Sequence, residues 1–370
     1  MGIQYILDKG SRKFICPNCE KKRFVRYIDT ENKDYLPLKY GRCDRESKCA
    51  YHLNPYQDGY AKNNTKENSK TTQITSKNKT YLKKRVAKGV SASIPFDIMK
   101  QTLSHYEGNT FIQNLLSNIP YPFFEKDIEK VIALYYLGTI SKGYRAKAIT
   151  FPFIDINNKI RAIQVKQFNK NNHTIGTDFL HSIIEKHFIN INQPLPEWLT
   201  AYKKNDKKVS CLFGEHLLKQ YPTNTIALVE APKTAIYGSL YWGSPDSPNN
   251  LLWLAVYNKS SFSLNKVMAL KGRNVIVFPD LSKNGDTYNE WKAKADVFTQ
   301  ELPGTRFVLS NLLEESASKN DKENGLDLAD YLIQLDWREF KGNNKGNQSK
   351  CDMEIAELEK INRRLKMHFN

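Results

Sequence analysis

Apolar positions along this chain change their spacing from region to region, and each change predicts a different element. Near the N-terminus, Lys13–Phe14–Ile15 is a short strand, and Phe24–Val25–Arg26–Tyr27–Ile28 alternates as a second. Between 94 and 140 the spacing turns helical. Pro95 opens a helix through Ile98, Met99 and Leu103. Phe111, Ile112, Leu115 and Leu116 form a second stripe, and Ile128, Val131, Ile132 and Tyr135 put a third on one face of Glu125–Tyr136. The period then shortens. Ala148–Asp155 and Lys159–Lys166 read as two strands joined by a turn over Asp155–Asn158. Lys159, Arg161, Ile163 and Val165 share one face of the second strand.

Farther on, short runs are apolar throughout: Ile226–Val229, Leu251–Val256 and Val275–Phe278, with Arg306–Leu309 after them. Strands of a parallel sheet are covered on both faces, which gives such runs instead of alternation. Helical stretches separate them at Lys233–Trp242, Leu264–Leu270 and Trp291–Gln300, with a last helix beginning at Leu328–Leu332. Gly214–Leu218 leads into the first strand. The expected order is strand–helix–strand–helix–strand, parallel in the middle. At the far end, Asp352–Phe369 reads as one helix carrying Ile355, Leu358, Ile361 and Leu365.

The segments expected are 1–60, a linker over 61–93, a helical unit over 94–143, a hairpin-containing region over 144–206, an α/β region over 207–337, and a linker with a C-terminal helix over 338–370. The 370 residues carry a formal net charge of +17, which favours a polyanionic partner such as nucleic acid. Residues 62–93 hold nine Lys/Arg against the single acid Glu67, a composition that predicts a disordered basic linker. No apolar run is long enough to span a bilayer, and the first residues lack the pattern of a signal peptide. A cytoplasmic protein is expected.

Four of the six cysteines fall within the first fifty residues. Cys16 and Cys19 form a C-x2-C knuckle, and Cys43 and Cys49 follow as a second pair. Four thiolates satisfy tetrahedral Zn2+, and so small a segment has little core to hold it folded without the metal. His52, three residues past Cys49, is an alternative ligand. Aromatic and basic residues interleave around these cysteines (Arg23, Phe24, Arg26, Tyr27, Tyr40, Arg42, Arg45 and Tyr51), a mixture suited to single-stranded nucleic acid. Arg26 and Arg42 are the candidate contacts here. On or beside the hairpin they are Lys147, Arg161 and Lys166. His181, His187 and His216 lack metal-ligand spacing.

The acidic residues of the α/β region sit at strand ends. Glu230 follows Ile226–Val229 within V-E-A-P-K-T-A, Asp280 follows Val275–Phe278 and Pro279, and Asp327 and Asp330 come later in L-D-L-A-D. A carboxylate at the C-terminal end of a strand lies at the rim where open α/β sheets bind ligands. Strand–Glu, strand–Asp and a late Asp pair in this order resemble the acidic frame of the Toprim fold of bacterial primases and topoisomerases. The hairpin resembles the one preceding that domain in primase cores, where it helps line a basic groove. The whole order of zinc ribbon, helical unit, hairpin and Toprim-like domain is similar to bacterial and phage primases. It is also similar to the zinc-ribbon plus Toprim-like proteins of bacterial mobile elements.

The resemblance implies an α/β fold: a zinc β-ribbon, a small helical unit, a β-hairpin subdomain and a Toprim-like domain with a mostly parallel central sheet. It implies catalytic roles for Glu230, in general acid/base work, and for Asp280, with Mg2+ or Mn2+ held by Asp280, Asp327 and Asp330. Lys233 would contact phosphate. Single-stranded DNA and NTPs would be partners in replication or mobilisation of a genetic element. The second aspartate of the family's D-x-D pair is here Ser282, a weaker ligand for a hard cation, with Asp286 four residues beyond. Three functions follow: metal-assisted nucleotidyl transfer, a binding adaptor of the same fold that recruits a helicase or relaxase, or a nuclease.

Overall fold

The computed structural model describes residues 4–10, 12–45, 49, 51–56, 60–61, 92–204 and 209–341. The helix expected over Asp352–Phe369 lies outside these residues, as does the linker expected over 61–93 except residues 61, 92 and 93. The chain divides into two compact units, 1–86 and 87–370.

The first unit is an antiparallel sheet of β1 (Tyr5–Leu7), β2 (Phe14–Ile15), β3 (Lys22–Asp29), β4 (Gly41–Cys43) and β5 (His52–Leu53). β3 is its hub. It pairs with β1, β2 and β4, and β5 adds to β4. The two strands expected here are present. Tyr5, Tyr27, Leu36 and Tyr40 fill one small core, and Phe24 packs with Cys16 and Cys43 in another.

In the second unit, α1 (Phe96–Lys100), α2 (Thr110–Gln113, continuing as a π-helical turn to Asn118) and α3 (Glu125–Tyr135) come first. An antiparallel sheet follows, made of β6 (Gly138–Thr139), β7 (Ile149–Ile154), β8 (Ile160–Phe168) and β9 (Thr174–Phe179), in that order across the sheet. The expected hairpin is therefore the middle of a four-stranded sheet. The predicted alternation of its second strand is absent, because β8 is covered on both faces from Ala162 to Val165.

Then come α4 (Leu180–Asn190), α5 (Glu197–Lys204), a 3-10 turn at Glu215–Leu218, β10 (Ile226–Val229), α6 (Pro232–Trp242), β11 (Leu252–Ala255), α7 (Leu264–Val267), β12 (Asn274–Phe278), α8 (Asp286–Glu301), β13 (Arg306–Leu309), α9 (Leu312–Ser316), α10 (Lys319–Asn324), α11 (Leu328–Leu332) and α12 (Trp337–Lys341). The strands form an all-parallel sheet ordered β11-β10-β12-β13. Every residue of β10 and β11 is buried, as the unbroken apolar runs predict. Pro232 fits at the first position of α6, where no N–H is needed. Gly238 lets this helix lie on β11, since a Cβ there would stand 2.2 Å from the Trp253 ring.

One continuous core runs from Phe111 through β7 and the parallel sheet to Phe340, so the helical segment and the two sheets are not separate bodies. The Tyr135 hydroxyl ties α3 to the sheet by donating to the Trp253 carbonyl at 2.8 Å. Among the described residues no helix is long and apolar enough to cross a membrane. The molecule has the expected α/β class, with an N-terminal β-rich cysteine-bearing unit and a parallel sheet.

Candidate metal centre and acidic cluster

The ribbon cysteines converge. Cys16 leaves β2 and Cys19 closes the knuckle, whose turn is fixed by Cys16 N–H to Lys21 O at 2.9 Å. Cys43 ends β4, and Cys49 follows on a turn closed by its N–H to Arg45 O at 2.8 Å. All four Sγ atoms lie within 4.8 Å of one another, with Cys16–Cys49 at 3.6 Å and Cys19–Cys43 at 3.8 Å. A tetrahedral zinc with bonds of about 2.3 Å separates its sulfurs by about 3.8 Å, so the set fits Zn2+. The Lys21 N–H brings Cys19 down to about 6, whereas burial pushes Cys43 up to about 12. His52 is not in the set. It stacks on Tyr27, and its Nε2 lies 3.0 Å from the Tyr27 hydroxyl.

The aromatic faces expected to stack on bases are used inside the ribbon. Phe24, Tyr27 and Tyr40 are buried, and the Arg26 guanidinium lies over the rings of Phe14 and Tyr35 at 5.1 and 4.9 Å. Arg42, on β4, is half-buried.

In the second unit the C-terminal ends of β10 and β12 bring Glu230 and Asp280 to one edge, since Val229 is level with Phe278 in the register. The Leu281 N–H donates to Leu326 O at 3.0 Å and draws Asp327 to the same edge. Asp280 is held well above the usual carboxylate range by burial, then by Glu230 and Asp327. Glu230 is raised to about 7, mainly by burial, although the Lys259 N–H and Lys166 oppose the shift. Burial also raises Asp327.

Two lysines complete the cluster. Lys233, in the first turn of α6, places Nζ 2.7 Å from Asp330 Oδ1 and 3.0 Å from Asp327 Oδ2. Burial opposes its charge, but the two aspartates outweigh that and hold its pKa high. Lys166 of β8 is drawn down by burial and by Lys233, against the pull of Asp327, Glu230 and Asp280. Lys233 and those three carboxylates are thus the charged groups it feels most. Lys233 is a buried counter-ion to Asp327 and Asp330.

Asp327 and Asp330 also form the capping box of α11. The Asp330 N–H donates to Asp327 Oδ1 at 3.1 Å, and the Asp327 N–H to Asp330 Oδ2 at 3.0 Å. All four oxygens of the pair thus have partners. Ser282 Oγ accepts from the Thr287 N–H at 2.9 Å, in the first turn of α8, and Asp286 stands exposed at the start of that helix. Mg2+ requires near-octahedral oxygen ligation. This set, with an ammonium between two of its carboxylates, does not fit that ion as folded.

Arg161 Nε and Nη2 donate to Asp155 Oδ2 at 2.7 and 2.6 Å, and Nη1 donates to Ala92 O at 3.0 Å. Arg161 thus pins the hairpin turn. Lys147 is exposed in the loop before β7.

Residues 109–281 match a family described as a domain of unknown function (DUF6371), and residues 3–66 match a zinc beta-ribbon finger family. No curated protein sequence matches the chain. Among solved structures, a DnaG primase catalytic domain bound to ssDNA aligns at 14% identity and a TM-score of 0.33, over 74% of this chain and 96% of that one. A DnaG catalytic core aligns at 13% and 0.35, over 74% and 95%. The zinc-binding and RNA polymerase domains of the Aquifex aeolicus primase align at 13% and 0.33, over 98% and 80%.

Proposed function

We propose that this chain is a primase-like nucleic-acid-binding protein that holds single-stranded DNA in replication or mobilisation of a genetic element. The observation that carries this reading is the combination, in one chain of net charge +17, of a four-thiolate ribbon with Glu230, Asp280 and Asp327 gathered at the edge of a parallel sheet. That is the order of parts the Toprim resemblance implies. In the folded state Lys233 is paired with Asp327 and Asp330 at this edge. This favours binding, with recruitment of a helicase or relaxase as the adaptor's task.

Nucleotidyl transfer is the second reading. Glu230, raised to about 7, is poised to exchange a proton near neutral pH, but Lys233 would have to leave the aspartates first. The test is to incubate the zinc-loaded protein with single-stranded DNA, labelled NTPs and Mg2+ or Mn2+, with Glu230→Gln alongside. DNA bound by both proteins and no labelled product is the expected result. Short products from the wild type alone would establish the enzyme and overturn the adaptor. DNA cleavage by the wild type alone would establish a nuclease.

A further inference from the structure

The segment between β6 and β7 is a loop held in place by more contacts than a connection requires. Its stem is closed by Lys147 N–H to Ile140 O at 2.8 Å and Ile140 N–H to Ala148 O at 2.9 Å, with Ala146 N–H to Gly143 O at 3.0 Å inside. Three residues within it take positive φ: Gly143 (+75°), Arg145 (+66°) and Lys147 (+70°). For arginine and lysine that conformation is costly, and it persists where surroundings over-determine it, often at ligand-contacting sites.

Here the surroundings are on the adjacent strands. Arg145 Nε donates to Asp178 Oδ2 at 2.7 Å and Nη1 to Gln167 Oε1 at 3.0 Å. Gly176 makes room for that guanidinium, since a Cβ at 176 would stand 1.9 Å from Arg145 Nη1.

This scaffold displays Tyr144. The ring remains 55% exposed, although the Arg145 guanidinium lies 4.8 Å and Lys186 Nζ 5.4 Å from its centroid. Lys142 and Lys147 are exposed on the same loop. The carboxylate nearby, Asp178, is paired with Arg145 and stands 3.9 Å from Lys186. A tyrosine ring more than half exposed among cations, on a fixed backbone, suits an unpaired base with phosphates on either side.

We propose that Tyr144 is a base-stacking residue for single-stranded nucleic acid, with Lys142 and Lys147 on the flanking phosphates. This rests on the nucleic-acid-binding reading above. The test uses the full zinc-loaded chain and a fluorescein-labelled oligo-dT, followed by anisotropy over a salt series. Tyr144→Ala should weaken binding about tenfold with little change in salt dependence, and Tyr144→Phe should bind like the wild type. The double variant Lys142→Ala/Lys147→Ala should lower the salt slope by about one to two. Wild-type binding with an unchanged Tyr144→Ala would overturn this inference alone. Absence of wild-type binding would overturn the functional reading as well. A loss in Tyr144→Phe equal to that in Tyr144→Ala would assign the effect to the hydroxyl and overturn stacking.

Discussion

Lys233 Nζ lies 2.7 Å from Asp330 Oδ1, and the other oxygen of that carboxylate accepts from the Asp327 N–H in the capping box of α11. One lysine on α6 thereby joins the start of α11 to the rim of the parallel sheet. It also places a positive charge where the Toprim resemblance would put a divalent ion.

Removing that charge should be costly. Lys233→Met leaves two carboxylates beside Asp280 and Glu230 without their counter-ion, and breaking a buried pair costs about 3 to 5 kcal/mol. Urea denaturation should show a loss of this size. The same variant should take up Mn2+, detected by the decrease of the free-ion spin-resonance signal, while the wild type leaves that signal unchanged. Tight Mn2+ uptake by the wild type, abolished in Asp327→Asn, would contradict the closed centre.

Glu230 makes stability depend on pH in a direction opposite to that of a salt-bridged acid. Its pKa rises from 4.5 to about 7 on folding, so the folded chain binds more protons than the unfolded one between these values. Stability from this group therefore falls as pH rises through the window, and the full cost is present above about 7. Glu230→Gln should be more stable than the wild type at pH 8, by on the order of 3 kcal/mol, with the difference fading toward pH 4.5. Denaturation curves at both pH values check this. An advantage that is larger at low pH would have the wrong sign.

The ribbon should hold one zinc per chain. Thiol modification of purified protein should release one equivalent, read with a chromophoric chelator, and Cys43→Ser should release far less. Because metal binding is folding energy in so small a unit, the same variant should expose the ribbon to protease. Protection equal to the wild type's would show that the two small cores suffice without metal.

Gly238 is packed directly against the Trp253 ring. A methyl at 2.2 Å from Trp253 must push α6 from β11, and overpacking of this kind costs about 1 to 3 kcal/mol. Gly238→Ala should lower the urea midpoint and shift Trp fluorescence. A neutral result would mean that the helix slides freely on the sheet.

The parallel sheet was legible because its strands are buried on both faces, and Ile226–Val229 and Val275–Phe278 are apolar without interruption. β9 was not legible. Thr174–Phe179 is a largely exposed edge strand whose residues carry no apolar alternation. The acidic edge could be read residue by residue, but the lysines among it could not. Lys166 lies on a strand of the other sheet, and nothing local says that its charge would be coupled to Glu230.

The double use of Asp327 and Asp330 did leave a trace. Their spacing of three, ahead of an apolar run, is that of a capping box, a reading that competes directly with a metal pair. In the ribbon, the aromatic residues that read as stacking faces are its core. A sheet so small has few other large side chains to bury.

The most direct measurement is the binding of labelled single-stranded DNA by the zinc-loaded protein over a potassium chloride series, with and without Mg2+. Affinity that falls steeply with salt and does not require Mg2+ is the predicted result. No binding at low salt, or binding only when Mg2+ is present, would contradict a nucleic-acid-binding protein whose acidic centre is closed by Lys233.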